Sequence, residues 1–181
     1  MDFSSGDKVI YGGCQMCIVG DVEEKSLDGV SFDEYVKLIP VDAPNSRYFV
    51  QCDKLGDRVR PLLSKDGVLS YIDSLSDLTA EWIPDRTKRR SEFSETLKCS
   101  DYSKLLPMVK ALCDEKKKRR DAGKSLMSSD EKALDSATRL ISNEFSEVLG
   151  ISPEELPSFI SRRTGTSPCW VGSADGHQGT A

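Results

Sequence analysis

The chain has 181 residues, 30 % charged and 38 % hydrophobic, with 25 Lys and Arg against 30 Asp and Glu, a net charge of −5 and one histidine. That is enough chain for one domain or two small ones, and it holds no apolar run of the roughly 18 residues a membrane span needs. With His177 alone in a Gly- and Ser-rich end, zinc-hydrolase, Ser-His-Asp and Cys-His mechanisms lack their histidine. No catalysis, cofactor, metal or small-molecule substrate is expected.

The first 60 or so residues read as β. Val9, Ile10 and Tyr11 run into the turn Gly12-Gly13, Met16 to Val22 is apolar with Gly20 breaking it, and Leu27-Asp28-Gly29 marks another turn. Glu34 to Ile39 supplies the next strand, Pro40 to Asn45 a loop, and Arg47 to Gln51 a further strand with Tyr48, Phe49 and Val50. Four or five strands in so short a stretch suit a small, strongly bent barrel or SH3-like sheet better than a sandwich.

After Pro61 the hydrophobic period changes from 2 to 3.6. Ser64 is placed to cap a helix through Leu69, Ile72 and Leu75, and Asp85 to Leu97 reads as a charged helix after Trp82-Ile83-Pro84. Leu105, Leu106, Val109, Leu112 and Cys113 form one helical stripe; Leu134, Ala137, Ile141, Phe145 and Val148 form another. Pro107 would lie inside a helix capped at Asp101, so that helix is either bent or regular only from about Leu105. Ser128 with Glu131 has capping-box spacing, Gly150 is a stop, and Ser152-Pro153-Glu154-Glu155 reads as a capped start. From Thr164 to Ala181 periodicity is lost, with Trp170 isolated among Gly, Ser and Thr. The class is α+β: a β domain over 1–62, an all-helical domain over 63–163, and a disordered tail over 164–181.

The six cysteines, Cys14, Cys17, Cys52, Cys99, Cys113 and Cys169, are scattered, and the start MDFSSGDKV has no secretory pattern. Reduced thiols in a cytoplasmic protein are therefore expected. Cys14 and Cys17 form a CxxC without a second one, so a redox or zinc role competes with two small residues in a turn and strand, and Cys113 reads as core.

The charge is unevenly placed. Between Trp82 and Ser125 thirteen Lys and Arg face seven Asp and Glu, a net +6 that leaves −11 elsewhere. A polyanion senses the field within about a Debye length, ~8 Å at physiological salt, so the acidic total does not exclude DNA. Two clusters stand out: Arg86, Lys88, Arg89 and Arg90, and the run Lys116, Lys117, Lys118, Arg119, Arg120. Lys116 and Arg120 continue the stripe of Val109, Leu112 and Cys113, so the helix is expected to project past the core from about Asp114. Beside the first cluster Trp82 has two readings: an interdomain anchor, or a wedge that stacks on bases while the cations hold phosphates. A basic helix end has its own alternative, a solvated face matched to the helix dipole.

FSSGDKVIYGG, GDVEEKSLDG, DEYVKLIP, LGDRVR, the Trp82 segment and KKKRRDAGKSLMSSDEKALDSATRLISNEFSEVLGI together resemble the CarD/CdnL family of bacterial transcription regulators, most of all its Firmicute branch. The resemblance covers residues 3 to 161 and implies a Tudor-like N-terminal domain that binds the RNA polymerase β subunit. It implies a helical domain that touches promoter DNA at the upstream edge of the bubble, with Trp82 in the minor groove and Lys88, Arg89 and Arg90 on phosphates. Lys116 to Arg120 are further DNA candidates, and Lys25, Arg47, Tyr48 and Phe49 fall where the family meets polymerase. Gln51 and Cys52 depart from the family's usual pattern, and Trp82 lies further from its Arg pair than in actinobacterial members. The competing function is a protein-interaction module without a DNA role.

Overall fold

The computed structural model describes residues 3–26 and 32–170, and divides the chain into a unit ending at Leu63 and a unit starting at Ser64. The fold is mixed α+β, with strands first and helices after. Strands β1 (Lys8–Tyr11), β2 (Gln15–Lys25), β3 (Asp33–Pro40), β4 (Tyr48–Gln51) and β5 (Val59–Pro61) form one antiparallel sheet, ordered β4-β3-β2-β1-β5. A 3₁₀ turn at Cys52–Lys54 and the one-turn helix α1 (Leu55–Arg58) connect β4 to β5. The short β5 pairs Val9 with Pro61 and Tyr11 with Val59, which three residues without alternation did not announce. The turn expected at Leu27-Asp28-Gly29 lies outside the described residues.

Gly20 bends β2 rather than ending it. The register with β3 shifts between Val19 and Val22, and a Cβ on Gly20 would stand 3.1 Å from the Lys37 carbonyl oxygen. An inserted residue in one strand re-aims the side chains beyond it. Val19 is accordingly 3 % exposed and Val22 55 % exposed. The core of this unit joins Val9, Cys17, Val19, Val36, Leu38, Val50, Leu55 and Val59. β4 and β5 are the two sheet edges, so one side of β4 keeps its backbone groups unpaired by other strands.

The second unit contains α2 (Lys65–Asp73), a 3₁₀ turn (Ser74–Asp77), α3 (Arg86–Cys99), α4 (Tyr102–Asp121), α5 (Ser128–Leu149) and α6 (Leu156–Thr164). Ser64 caps α2 by accepting from the Gly67 amide at 3.1 Å, and Asp85 caps α3 by accepting from the Lys88 amide at 2.7 Å. Pro107 lies within an α4 that runs without a break from Tyr102 and is capped by Asp101, so the helix does not wait until Leu105 to become regular. α5 buries Ala133, Leu134, Ala137, Leu140, Ile141 and Phe145, the recurrence of one helical face. Aromatic rings link three helices: Tyr71 to Tyr102 at 5.4 Å and Tyr102 to Phe145 at 5.1 Å between centroids. The Tyr102 hydroxyl donates to the buried Glu144 carboxylate at 2.7 Å.

Three local expectations are corrected. α5 is capped at Met127 without a side-chain hydrogen bond, so Ser128 does not close a capping box. The acids of its first turn are engaged elsewhere, Asp130 with Arg89 and Glu131 with Lys116. α6 starts at Leu156 after a turn in which the Glu155 carboxylate accepts from the Ser152 amide at 2.8 Å, so Pro153 precedes the helix. The tail expected from Thr164 is packed as far as the described residues reach: Pro168 is buried and Trp170 is 8 % exposed. Gly150 ends α5 at φ 68°, as its position suggested.

Candidate functional site

Arg89 is the centre of the Trp82 region, and its side chain is 3 % exposed. The guanidinium donates to both carboxylate oxygens of Asp130, at 3.2 and 3.0 Å, and to the carbonyls of Ile83 at 2.8 Å and Pro84 at 3.3 Å. A planar fork suits that set of acceptors, and a buried charge needs it. Arg89 is therefore not a phosphate contact, which corrects the sequence reading: its donors are spent inside the protein. What it does instead is hold the Trp82 ring, which lies 4.3 Å from the guanidinium carbon. Trp82 is half-buried in an irregular segment, so an internal ion pair fixes the ring while leaving part of it in solvent.

The other cations of α3 point outward. Arg86, Lys88 and Arg90 are exposed, with Lys88 3.7 Å from Glu92 one turn on. Among the described residues no acid pairs with Arg86 or Arg90. Both line a groove of about 480 Å³ between α3 and the start of α5, with Phe93 on its floor and Lys132 on its far wall. Lys132 escaped the sequence reading because it stands outside both basic clusters, between Glu131 and Ala133. The chain reversals after α3 and α4 bring it alongside Arg86 and Arg90. Asp130, also at the groove, is neutralised by Arg89, so the local field stays positive.

The α4 cluster behaves differently. Cys113 is the last buried residue of α4, but Glu115, Lys116 and Arg119 stay partly covered, so the helix end projects less freely than expected from Asp114. Lys116 lies 3.5 Å from Glu131 of α5, and Arg119 donates to Glu115 at 2.6 Å. Lys117, Lys118 and Arg120 are exposed. Two of the five cations are thus partly neutralised and three face solvent.

In the β unit, Lys25, Tyr48 and Phe49 come together at and beside the β4 edge. The Lys25 ammonium sits 3.3 Å from the Phe49 ring centroid and 3.3 Å from Glu23. Hydrogen bonds from Lys37 and then Lys25 hold the Glu23 carboxyl below the usual carboxylate range. Tyr48 stacks on Tyr11 at 5.1 Å, and Tyr48 and Phe49 remain 37 % and 38 % exposed. Arg47 is turned onto its own loop, donating to the carbonyls of Pro44 and Ser46.

The CxxC is divided between a turn and the core. Cys14 stands in the turn before β2, whereas Cys17 is buried and its thiol is pushed up to about 12, chiefly by burial and then by Asp42. Burial therefore works against the thiolate form of Cys17. Among the described residues no three His, Cys, Asp or Glu side chains gather as a metal site, and no helix is long and apolar enough to cross a membrane. No protein-family model matches this chain, and a search of curated proteins finds no match.

Proposed function

We propose that this chain is a non-enzymatic, cytoplasmic transcription regulator of the CarD/CdnL kind, one that docks on RNA polymerase and stabilises the open promoter complex. In this reading the five-stranded unit is a Tudor-like, SH3-like module whose β4 edge meets the polymerase β subunit. An open edge offers backbone pairing to a partner strand, and Tyr48 and Phe49 offer apolar surface beside it. Lys25 and Arg47 supply charge at the rim.

The observation that carries the reading is the mounted Trp82. Its ring is held by a buried ion pair and is partly exposed, and the helix that carries Arg89 also carries the exposed Arg86, Lys88 and Arg90, of which Arg86 and Arg90 share a groove with Lys132. A wedge must be stiff to unstack a base step, and cations around it must reach phosphates without first breaking internal pairs. Among the described residues no exposed helix face combines Asn, Gln and Arg for reading base edges, so binding driven by phosphates and duplex distortion fits better than sequence readout. Polymerase then raises the effective concentration of the DNA-binding unit, and intrinsic DNA affinity can stay weak.

The test is open-complex lifetime on one promoter, with polymerase capture measured in parallel. Trp82→Ala is expected to leave capture intact and to shorten the lifetime several-fold. An unchanged lifetime with polymerase still bound removes the wedge. The second reading, a protein-interaction module without a DNA role, is favoured by the Trp82–Arg89 stack itself, since an internal anchor would be held in the same way. Quenching of Trp82 emission by acrylamide, in a Trp170→Phe background, separates them: promoter DNA protects a wedge and leaves an anchor unchanged.

A further inference from the structure

The groove between α3 and the start of α5 encloses about 480 Å³, within the range of small-molecule sites, about 300–1,000 Å³. Arg86 and Arg90 line it from α3 and Lys132 from α5. All three are exposed, and none has an acid, a carbonyl or a ring as partner among the described residues. Asp130 is the one carboxylate in the lining, and it is 2 % exposed with both oxygens taken by Arg89. The groove therefore presents three positive charges that no acid of its lining offsets.

Two further features accompany the charge. Phe93 and Ala133, 7 % and 8 % exposed, form with the half-buried Leu97 an apolar strip beside the cations. Ser94, Ser128, Ser129 and Ser136 bring hydroxyls to the same lining, and none of the four is hydrogen-bonded among the described residues. A bare phosphate backbone makes no use of an apolar strip, whereas a small ligand with an anionic end and a flat apolar end uses all three features.

We propose that this groove is a binding site for a nucleotide with two or three phosphates, held with its phosphates on Arg86, Arg90 and Lys132 and its base over the strip of Leu97, Phe93 and Ala133. Arg86 and Arg90 are one helical turn apart, about 5–6 Å between Cβ atoms, so their long side chains can converge on neighbouring phosphate oxygens. Lys132 closes on them from the facing helix. A single phosphate group, at about −1.5 to −2, leaves part of the three charges unbalanced, and the additional phosphates supply the rest. The inference stands apart from the transcription reading, because it needs neither polymerase nor promoter. Once filled, the groove no longer offers Arg86 and Arg90 to another phosphate.

The experiment is calorimetric titration of the full chain with ATP, with tripolyphosphate and with adenosine. One ATP is expected per chain, with tripolyphosphate about tenfold weaker for want of the buried base and adenosine without detectable binding. Arg90→Ala and Lys132→Ala, both at exposed positions, should each weaken ATP about tenfold, as the loss of a hydrogen bond to a charged group does. Ser94→Glu places a carboxylate in the groove and should abolish ATP binding. Lys65→Ala, which removes an exposed cation outside the groove, should leave ATP affinity unchanged. Urea midpoints equal to the parent's show that each variant is folded; if one moves, the remaining groove variants decide. Absence of binding at about 1 mM ATP would overturn the proposal. Equal affinity for ATP and tripolyphosphate would do the same, since the strip then contributes nothing. So would equal losses in Lys65→Ala and Arg90→Ala, which would mean diffuse attraction to a basic surface.

Discussion

The two basic runs of the helical unit, 86–90 and 116–120, are alike in sequence and unlike in fate. In the first, one cation of four is withdrawn into a buried pair that holds the Trp82 ring, and the rest are exposed. In the second, none is buried, and Lys116 and Arg119 share acids near the surface. The difference is made by which carboxylate each run meets. Asp130 reaches Arg89 inside the protein, where removing water makes the pair rigid and each partner dependent on the other. Glu131 meets Lys116 where water and salt screen the attraction, and Glu115, itself mostly covered, meets Arg119 one turn along the same helix. A charge run therefore does not mark a binding surface uniformly: a cation that orders the site and the cations that use it can be consecutive residues.

The largest test of this contrast is Arg89→Ala. It leaves Asp130 buried without its partner, and urea unfolding should show a loss of about 3–5 kcal/mol. Arg89→Met combined with Asp130→Leu removes both charges and should lose much less; equal losses in the two variants would mean that packing, not charge, dominates. Next in size is the effect of Lys88→Ala with Arg90→Ala on DNA binding. The urea midpoint should not move, while affinity falls alike at all promoters and the slope of log K against log salt flattens by about one for each phosphate no longer neutralised. The matching change at Lys117 and Lys118 ranks the two runs directly. Smaller still, Lys116→Ala should cost about 0.2–1 kcal/mol, the range of exposed pairs; a larger loss would make the α4 run resemble the α3 run.

The smallest effect is a pH dependence at a third ion pair. Arg163 of α6 donates to both oxygens of Asp73 at the end of α2, at 2.5 and 2.7 Å, and its hydrogen bond holds the Asp73 carboxyl below the ordinary 3.8. A lowered folded-state pKa gives stability that is present above 3.8 and lost as pH falls through the folded value. Thermal unfolding of Arg163→Gln should therefore lie slightly below the parent at pH 7 and converge with it in acid. A gap that widens toward low pH would contradict the assignment.

Much of the fold is legible in the sequence because it rests on local periodicity. The stripes of α4 and α5, the caps at Ser64 and Asp101 and the stop at Gly150 all follow from spacing. The start of α5 departs from its spacing because its first-turn acids form tertiary pairs instead of a cap. β5 is invisible in sequence because three residues carry no period of their own; β1 supplies their pairing. The candidate site is half legible. Clusters at 86–90 and 116–120 are visible in sequence, whereas Lys132 joins them only across two chain reversals.

The sequence by itself determined the change from β to α near Pro61, the uneven placement of charge, and the presence of a single histidine, since each depends on residue type and spacing along the chain. Only the tertiary structure decided which cation is structural and where Lys132 lies. Both depend on distances between residues far apart in sequence, and burial then sets whether a charge pairs inside the protein or faces solvent.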